Sequence, residues 1–253
     1  MRVPFFDAHP EIAYIFTTKA LGDSSFLLDF DYRKKDDPTV ERSFSAIASY
    51  FGVEPSSVYV TNQVHGNRVE IIEDFPGPAL VRGVAQNDAT VTALSGLVLT
   101  VLTADCVPIL MADPKRGAIA AVHAGWRGTV CGIAGKAVEA FEKYFASLRE
   151  DILVAIGPAI GKCCYEVGSD VTDEVKRSFS FGEEFLIRSK TGYSMLDLAG
   201  LNARILMGRG IAPANIWTIN RCTACDEKLF YSYRRDGAGT GRMMAAICKR
   251  GGR

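Results

Sequence analysis

An α+β fold with layered packing is predicted by two observations. Runs rich in β-branched and apolar residues, at 58–62, 68–72, 96–103, 118–122 and 152–156, have the length and composition of strands. Segments of helical periodicity fall among them without the regular strand–helix alternation of a doubly wound parallel sheet. The chain has 253 residues, 48% of them hydrophobic, which is enough for one large core, and a single domain over residues 1–253 is expected.

The N-terminus, Met1 to Phe6, runs into charged Asp7 without an apolar core or a small-residue cleavage site, so no signal peptide is expected there. Ile12 to Thr17 reads as a first strand, and Gly22 to Asp37 as a polar, charged loop. A helix is expected over Pro38 to Phe51, ended by Gly52-Val53-Glu54-Pro55. Val58–Asn62 and Arg68–Ile72 read as strands joined by a turn that contains His65 and Gly66.

Gly96 to Thr103 reads as a buried strand that runs into Asp105-Cys106, after which Pro108 resets the backbone for a strand through Met111. Asp113 to Gly117 is a turn, and Ala118 to Val122 a strand that delivers His123. Thr129 is expected to cap a helix in which Val130, Ile133, Ala134, Ala137, Val138, Phe141, Tyr144, Phe145 and Leu148 recur at helical spacing. Ile152–Ile156, a helix from about Asp170 to Phe179, a helix from Leu196 to Met207, and strands at Asn215–Asn220 and Met243–Cys248 complete the reading.

Charge and cysteine usage narrow the function classes. Lys plus Arg equals Asp plus Glu at 29 each, so overall charge points to neither nucleic acid nor an anionic membrane surface. No apolar run has bilayer length. Seven cysteines, an odd number spread over a long chain, fit thiols and ligands better than a disulfide framework, and a cytoplasmic location is expected.

Only three histidines occur, and two lie in Gly-flanked motifs, Asn62-Gln63-Val64-His65-Gly66 and Ala121-Val122-His123-Ala124-Gly125-Trp126-Arg127-Gly128-Thr129, on either side of Thr103-Ala104-Asp105-Cys106. His65, Cys106 and His123 form a candidate metal set: imidazole and thiolate suit zinc, and three protein ligands leave a fourth position open, as in catalytic sites. Spacing alone leaves open that these are ordinary buried side chains, since free cysteine often packs in a core. Asp105 is expected to orient a neighbouring imidazole.

The glycine-containing turn before Thr129, with Arg127, suggests an anion site at a helix start. Tyr231 to Gly237 gathers rings and guanidinium groups suited to a base and an anion, and equally reads as an edge strand with a solvated turn. Cys222-Thr223-Ala224-Cys225 with Cys163-Cys164 offers a second metal site in principle. Adjacent cysteines are awkward tetrahedral ligands, so core packing is the expectation for them.

The motifs NQVHG, TADCVPI and AVHAGWRGT, followed by IGPAIGKCCYEVG and CTACDEKLFYSYRRDGAGTGR, resemble those of the YfiH-like family, whose members are described both as polyphenol oxidase or laccase-domain proteins and as purine nucleoside phosphorylases. The resemblance spans nearly the whole chain and departs at Lys162, where the family pattern has proline. It implies a layered α+β fold similar to that of certain Cys/His toxin deamidases, and zinc on His65, Cys106 and His123.

It further implies phosphorolysis of adenosine, inosine, guanosine and S-methyl-5'-thioadenosine, plus adenosine deamination by metal-activated water, with a nucleoside and phosphate as small-molecule partners and neither nucleic acid nor membrane among them. Gln63, Arg127 and Arg235 are then the expected substrate contacts, and Cys106 and Asp105 the expected catalytic groups. The histidine–glutamate pattern of zinc deaminases is absent, which makes Asp105 the first choice for acid/base. Copper is compatible with a His/His/Cys set, but three histidines cannot build a multicopper oxidase centre. Two other classes stay open: a Cys/His amide hydrolase acting on cell-wall precursors through a Cys106 nucleophile, and a zinc-stabilised binding module without turnover.

Overall fold

Two mixed sheets, packed face to face, carry the architecture in this computed structural model, which describes residues 1–20, 27–34, 37–76, 82–188 and 193–251. A helical turn α1 (Pro4–Asp7) precedes β1 (Ile12–Phe16), α2 (Pro38–Phe51), β2 (Val58–Asn62), β3 (Val69–Ile72), β4 (Arg82–Gln86), β5 (Ala89–Thr92), β6 (Val98–Thr103), β7 (Val107–Asp113) and β8 (Ala118–Ala124). Next come α3 (Trp126–Val130), α4 (Ile133–Phe145), β9 (Leu153–Ile156), β10 (Glu166–Val167), α5 (Ser169–Ser178), β11 (Leu186–Arg188) and β12 (Ser194–Leu196). The chain closes with α6 (Leu198–Gly208), β13 (Ile216–Thr218), α7 (Tyr233–Asp236) and β14 (Met243–Lys249).

The strand order is β1-β14-β6-β2-β4 in one sheet and β13-β9-β7-β8-β5-β3 in the other, with β10-β12-β11 as a small third sheet. Because side chains alternate across a strand, each central strand serves two cores. Ile12, Tyr14 and Phe16 of β1 meet Leu110, Ala112, Ile119 and Ala121 of β7 and β8 between the sheets. Ala13 and Ile15 instead face Val40, Phe44 and Ile47 of α2. On the far side, Ile109, Met111, Ala120 and Val122 pack against Ala134, Val138 and Phe141 of α4 and Leu201 and Ile205 of α6. The layers therefore run helix, sheet, sheet, helix, which is the layered α+β packing expected.

Local chemistry accounts for the element that the sequence marks best. In α2, Pro38 occupies the first turn, Asp37 accepts the Thr39 amide, and Gly52 ends the helix at φ 68°. Phe141 sits fully buried on α4. Phe141→Ala is expected to lower stability by about 3–5 kcal/mol, read as a lower urea midpoint at unchanged slope.

Several expectations need correction. Of the segment 22–37, residues 22–26 and 35–36 lie outside the described residues, and the rest is no solvated loop, because Leu28 and Phe30 are fully buried. Thr129 does not cap the helix that follows: Gly125 is the N-cap of α3, Thr129 lies inside that helix accepting the Asn202 amide at 2.9 Å, and Gly132 at φ 78° divides it from α4. Pro108 lies within β7, and Tyr231–Gly237 holds the single helical turn α7, capped by Ser232, in place of an edge strand. Strands β4, β5 and β10 to β12 fall outside the segments expected as strands. Among the described residues no helix is long and apolar enough to cross a membrane.

Candidate active site

The site forms where the chain crosses from one sheet to the other. β2 and β6 are parallel neighbours in the five-stranded sheet, whereas β3 and β7, which follow them in sequence, belong to the six-stranded one. The turn after β2 carries His65, the bend after β6 carries Cys106, and β8, whose His123 is in register with Pro108, lies beside β7. The three ligand atoms come within 4.8 Å of one another. His65 Nε2 lies 3.9 Å from Cys106 Sγ.

Both crossings use left-handed backbone at non-glycine residues, His65 at φ 59° and Asp105 at φ 94°. Such conformations cost on the order of 1–3 kcal/mol each and persist only where neighbours hold them. At His65 the holder is Asp88, a fully buried carboxylate just before β5. Its Oδ1 accepts the His65 amide at 2.9 Å and its Oδ2 the Gly66 amide at 2.7 Å. The same Oδ1 lies 2.8 Å from Nδ1 of His123, so Nε2 is the nitrogen of His123 left for a ligand. One carboxylate thus positions both histidines, the part that sequence reading gave to Asp105.

Asp105 has a different task. It accepts the Thr223 hydroxyl at 2.6 Å, the Ser232 hydroxyl at 3.0 Å and the Arg234 amide at 2.7 Å, and touches neither imidazole. Both its oxygens are committed to fixing the 223–235 segment against the site.

Burial disfavours the charged forms of Cys106 and His123, yet their mutual attraction wins. The His123 imidazolium, with help from His65, lowers the Cys106 thiol to about 6. The Cys106 thiolate and Asp88 raise His123 to about 9. The set is thus ready to supply a thiolate, and two imidazoles once His123 gives up its proton, to a soft or borderline cation. Gly125 closes the cradle: a β-carbon there would stand 3.0 Å from His65 Cδ2 and 3.2 Å from Cys106 Sγ.

A cleft of about 560 Å³ opens over the three residues. Its walls include Tyr32, Gln63, Trp126, Arg127, Tyr165, Arg234 and Arg242. Gln63 reaches it, but its amide is spent on the main chain of Leu102, at 2.8 Å to the carbonyl and 2.7 Å to the N–H. Arg127 stacks on the Trp126 ring at 4.2 Å, and among the described residues no carboxylate pairs with it. Arg235 is not in the wall; its guanidinium binds the carbonyls of Thr223, Ala224 and Phe230 and the Asp236 carboxylate. The expectation that it contacts substrate is corrected, and Arg234 and Arg242 stand in the cleft instead. Sequence reading missed Asp88, Arg242 and Tyr165; an Asn-Asp pair entering the β-branched run Ala89–Thr92 was the one signal for Asp88.

A family model described as multi-copper polyphenol oxidoreductase laccase matches residues 13–250. The chain belongs to this YfiH-like laccase-domain family. The family's likeness extends through the fold: the crystal structure of a Bacillus licheniformis hypothetical protein YfiH superposes with a TM-score of 0.88 at 30% identity, over 95% of this chain and 93% of that one. Among curated relatives, a purine nucleoside phosphorylase of Deinococcus radiodurans is 40% identical over 239 residues, 93% of this chain and 88% of its own. Adenosine deaminase RL5, from an unknown prokaryotic organism, is 34% identical over 87% of this chain and 86% of its own. The laccase-domain family therefore includes proteins named for two purine nucleoside reactions.

Proposed function

We propose that the chain is a zinc-dependent purine nucleoside enzyme, which carries out phosphorolysis of adenosine, inosine, guanosine and S-methyl-5'-thioadenosine and also deaminates adenosine. The observation that carries this reading is the His65/Cys106/His123 cluster at the floor of a cleft walled by aromatic and guanidinium side chains. The names of the relatives support the substrate class.

His65, Cys106 and His123 would hold a zinc ion, which would supply Lewis acidity to the cleft. The chain's own residues supply the rest. Trp126, Tyr32 and Tyr165 offer ring faces of the kind on which a purine stacks. Arg127, free of a carboxylate partner among the described residues, offers its fork to phosphate. This anion role rests on the guanidinium, because α3 is only five residues long and contributes little dipole.

The test is chromatographic turnover of inosine with and without phosphate, alongside zinc content by mass spectrometry, for the native chain and Cys106→Ala. Hypoxanthine that forms only with phosphate, and is lost in the variant together with the zinc of the His65/Cys106/His123 site, supports the reading; protein zinc-loaded at that site yet inert toward all four nucleosides overturns it. Arg127→Ala is expected to raise KM for phosphate about tenfold or more with little change in fold stability, since it removes a charge-assisted contact. Arg235→Ala, in contrast, should lower the thermal midpoint and leave that KM nearly unchanged.

The thiolate–imidazolium pairing of Cys106 and His123 favours one second reading, a cysteine nucleophile acting on amides. Metal content separates the two, because a thiolate engaged as a ligand is a poor free nucleophile. Active protein whose His65/Cys106/His123 site holds no zinc would select the hydrolase.

A further inference from the structure

A second group of thiols gathers away from the three donors of the open site. Cys163, Cys164, Cys222 and Cys225 place all four sulfurs within 4.8 Å of one another. Cys225 Sγ lies 3.4 Å from Cys163 Sγ and 3.3 Å from Cys164 Sγ, and all four are free thiols. Core packing, the expectation from sequence, does not explain the cluster, because Cys163 and Cys225 are exposed to solvent and the other two are only half-buried.

The backbone is shaped to bring these sulfurs together. Ala159 and Cys222 form a parallel bridge in which the Thr223 amide donates to the Ala159 carbonyl at 3.0 Å. The amides of Cys164 and Tyr165 both donate to the Gly161 carbonyl at 2.9 Å. In a turn of this helical kind successive side chains splay by about 100°, so adjacent cysteines need not crowd one another. Gly161 lets the two loops approach: a β-carbon there would stand 3.2 Å from both Cys163 Sγ and Cys222 Cβ. Its amide donates to Cys222 Sγ at 3.2 Å, the type of outer contact that orients a ligating sulfur.

Tetrahedral Zn–S bonds of about 2.3 Å put the sulfurs of a tetrathiolate about 3.8 Å apart. Two of the separations, 3.3 and 3.4 Å, lie a few tenths of an ångström under that edge, and none exceeds 4.8 Å. Four thiolate donors fill a tetrahedral shell and match a closed structural site, and four soft sulfur donors select zinc over hard cations.

We propose that Cys163, Cys164, Cys222 and Cys225 bind a structural zinc ion, separate from the open site of His65, Cys106 and His123. Binding displaces the thiol protons to solvent and leaves the sulfur oxidation state unchanged. The ion clasps two loops that shape the cleft. One continues into Tyr165; the other continues into Thr223, whose hydroxyl holds Asp105 and whose carbonyl holds Arg235. Lys162, where the family pattern has proline, places its ammonium 3.6 Å from the Asp197 carboxylate.

The decisive sample is zinc-loaded Cys106→Ala full-length protein, in which the open site has lost its thiolate and retained metal reports on the cysteine cluster alone. One tightly held zinc per chain is expected, with only sulfur neighbours at about 2.3 Å in zinc-edge X-ray absorption. In the native chain the same four cysteines should resist alkylation, judged by peptide mass spectrometry, until a strong chelator is added. Metal-free Cys106→Ala, or rapid alkylation of Cys163 and Cys225 in the zinc-loaded native chain, or a disulfide among the four, overturns the proposal. None of these outcomes depends on nucleoside turnover, so the cluster stands or falls independently of the proposed reaction.

Discussion

Asp88→Asn is expected to weaken zinc binding at the open site about 10–100-fold and to lower turnover with it. The carboxylate serves His123 Nδ1 and the His65 and Gly66 amides together. An asparagine has one acceptor oxygen, and its NH2 would confront donors. Breaking the buried Asp88–His123 pair also costs stability, on the order of 3–5 kcal/mol in the metal-free protein. Chelator competition measures the first effect and urea denaturation the second. Wild-type zinc affinity in the variant would show that the histidines are positioned by something other than Asp88.

Asp105→Asn separates positioning from acid–base chemistry. Its oxygens hold Thr223, Ser232 and the Arg234 amide, each a hydrogen bond to a charged group worth about 1.5–3 kcal/mol. We expect a loss of several kcal/mol in stability and a higher KM as the 223–235 wall loosens, with zinc still bound at the open site. A variant of native stability and KM whose kcat collapses, with a lost limb in its pH profile, would restore Asp105 as the acid or base.

Much of the fold was legible where a local signal stood alone. The proline, aspartate and glycine around 37–52 mark both ends of α2, and period-two or continuous apolar runs mark β1, β2, β6 and β8. What sequence could not give was the assignment of consecutive strands to different sheets. Val58–Asn62 and Val69–Ile72 look like a hairpin, and only tertiary pairing shows that they part. The clustering of His65, Cys106 and His123 was legible because three histidines leave few choices and the flanking motifs resemble a family pattern. Asp88 was not, because a buried carboxylate announces itself through its partners, and these lie 22 to 35 residues away in sequence. The cysteine cluster was visible as spacing, yet the splay of Cys163 and Cys164 is a property of the turn.

The crossings between the two sheets have a consequence for assembly. His65 and Cys106 each follow a strand of the five-stranded sheet and precede a strand of the six-stranded sheet, which carries His123, so the cluster is complete in the arrangement where both sheets are formed and docked. Any ion that prefers the complete set therefore favours the docked state over every partly folded one by mass action. Pairings this distant in sequence close slowly. A chain newly made or thermally opened along this seam should hold the ion only as well as two donors can, so the rate of metal uptake would time the docking of the sheets.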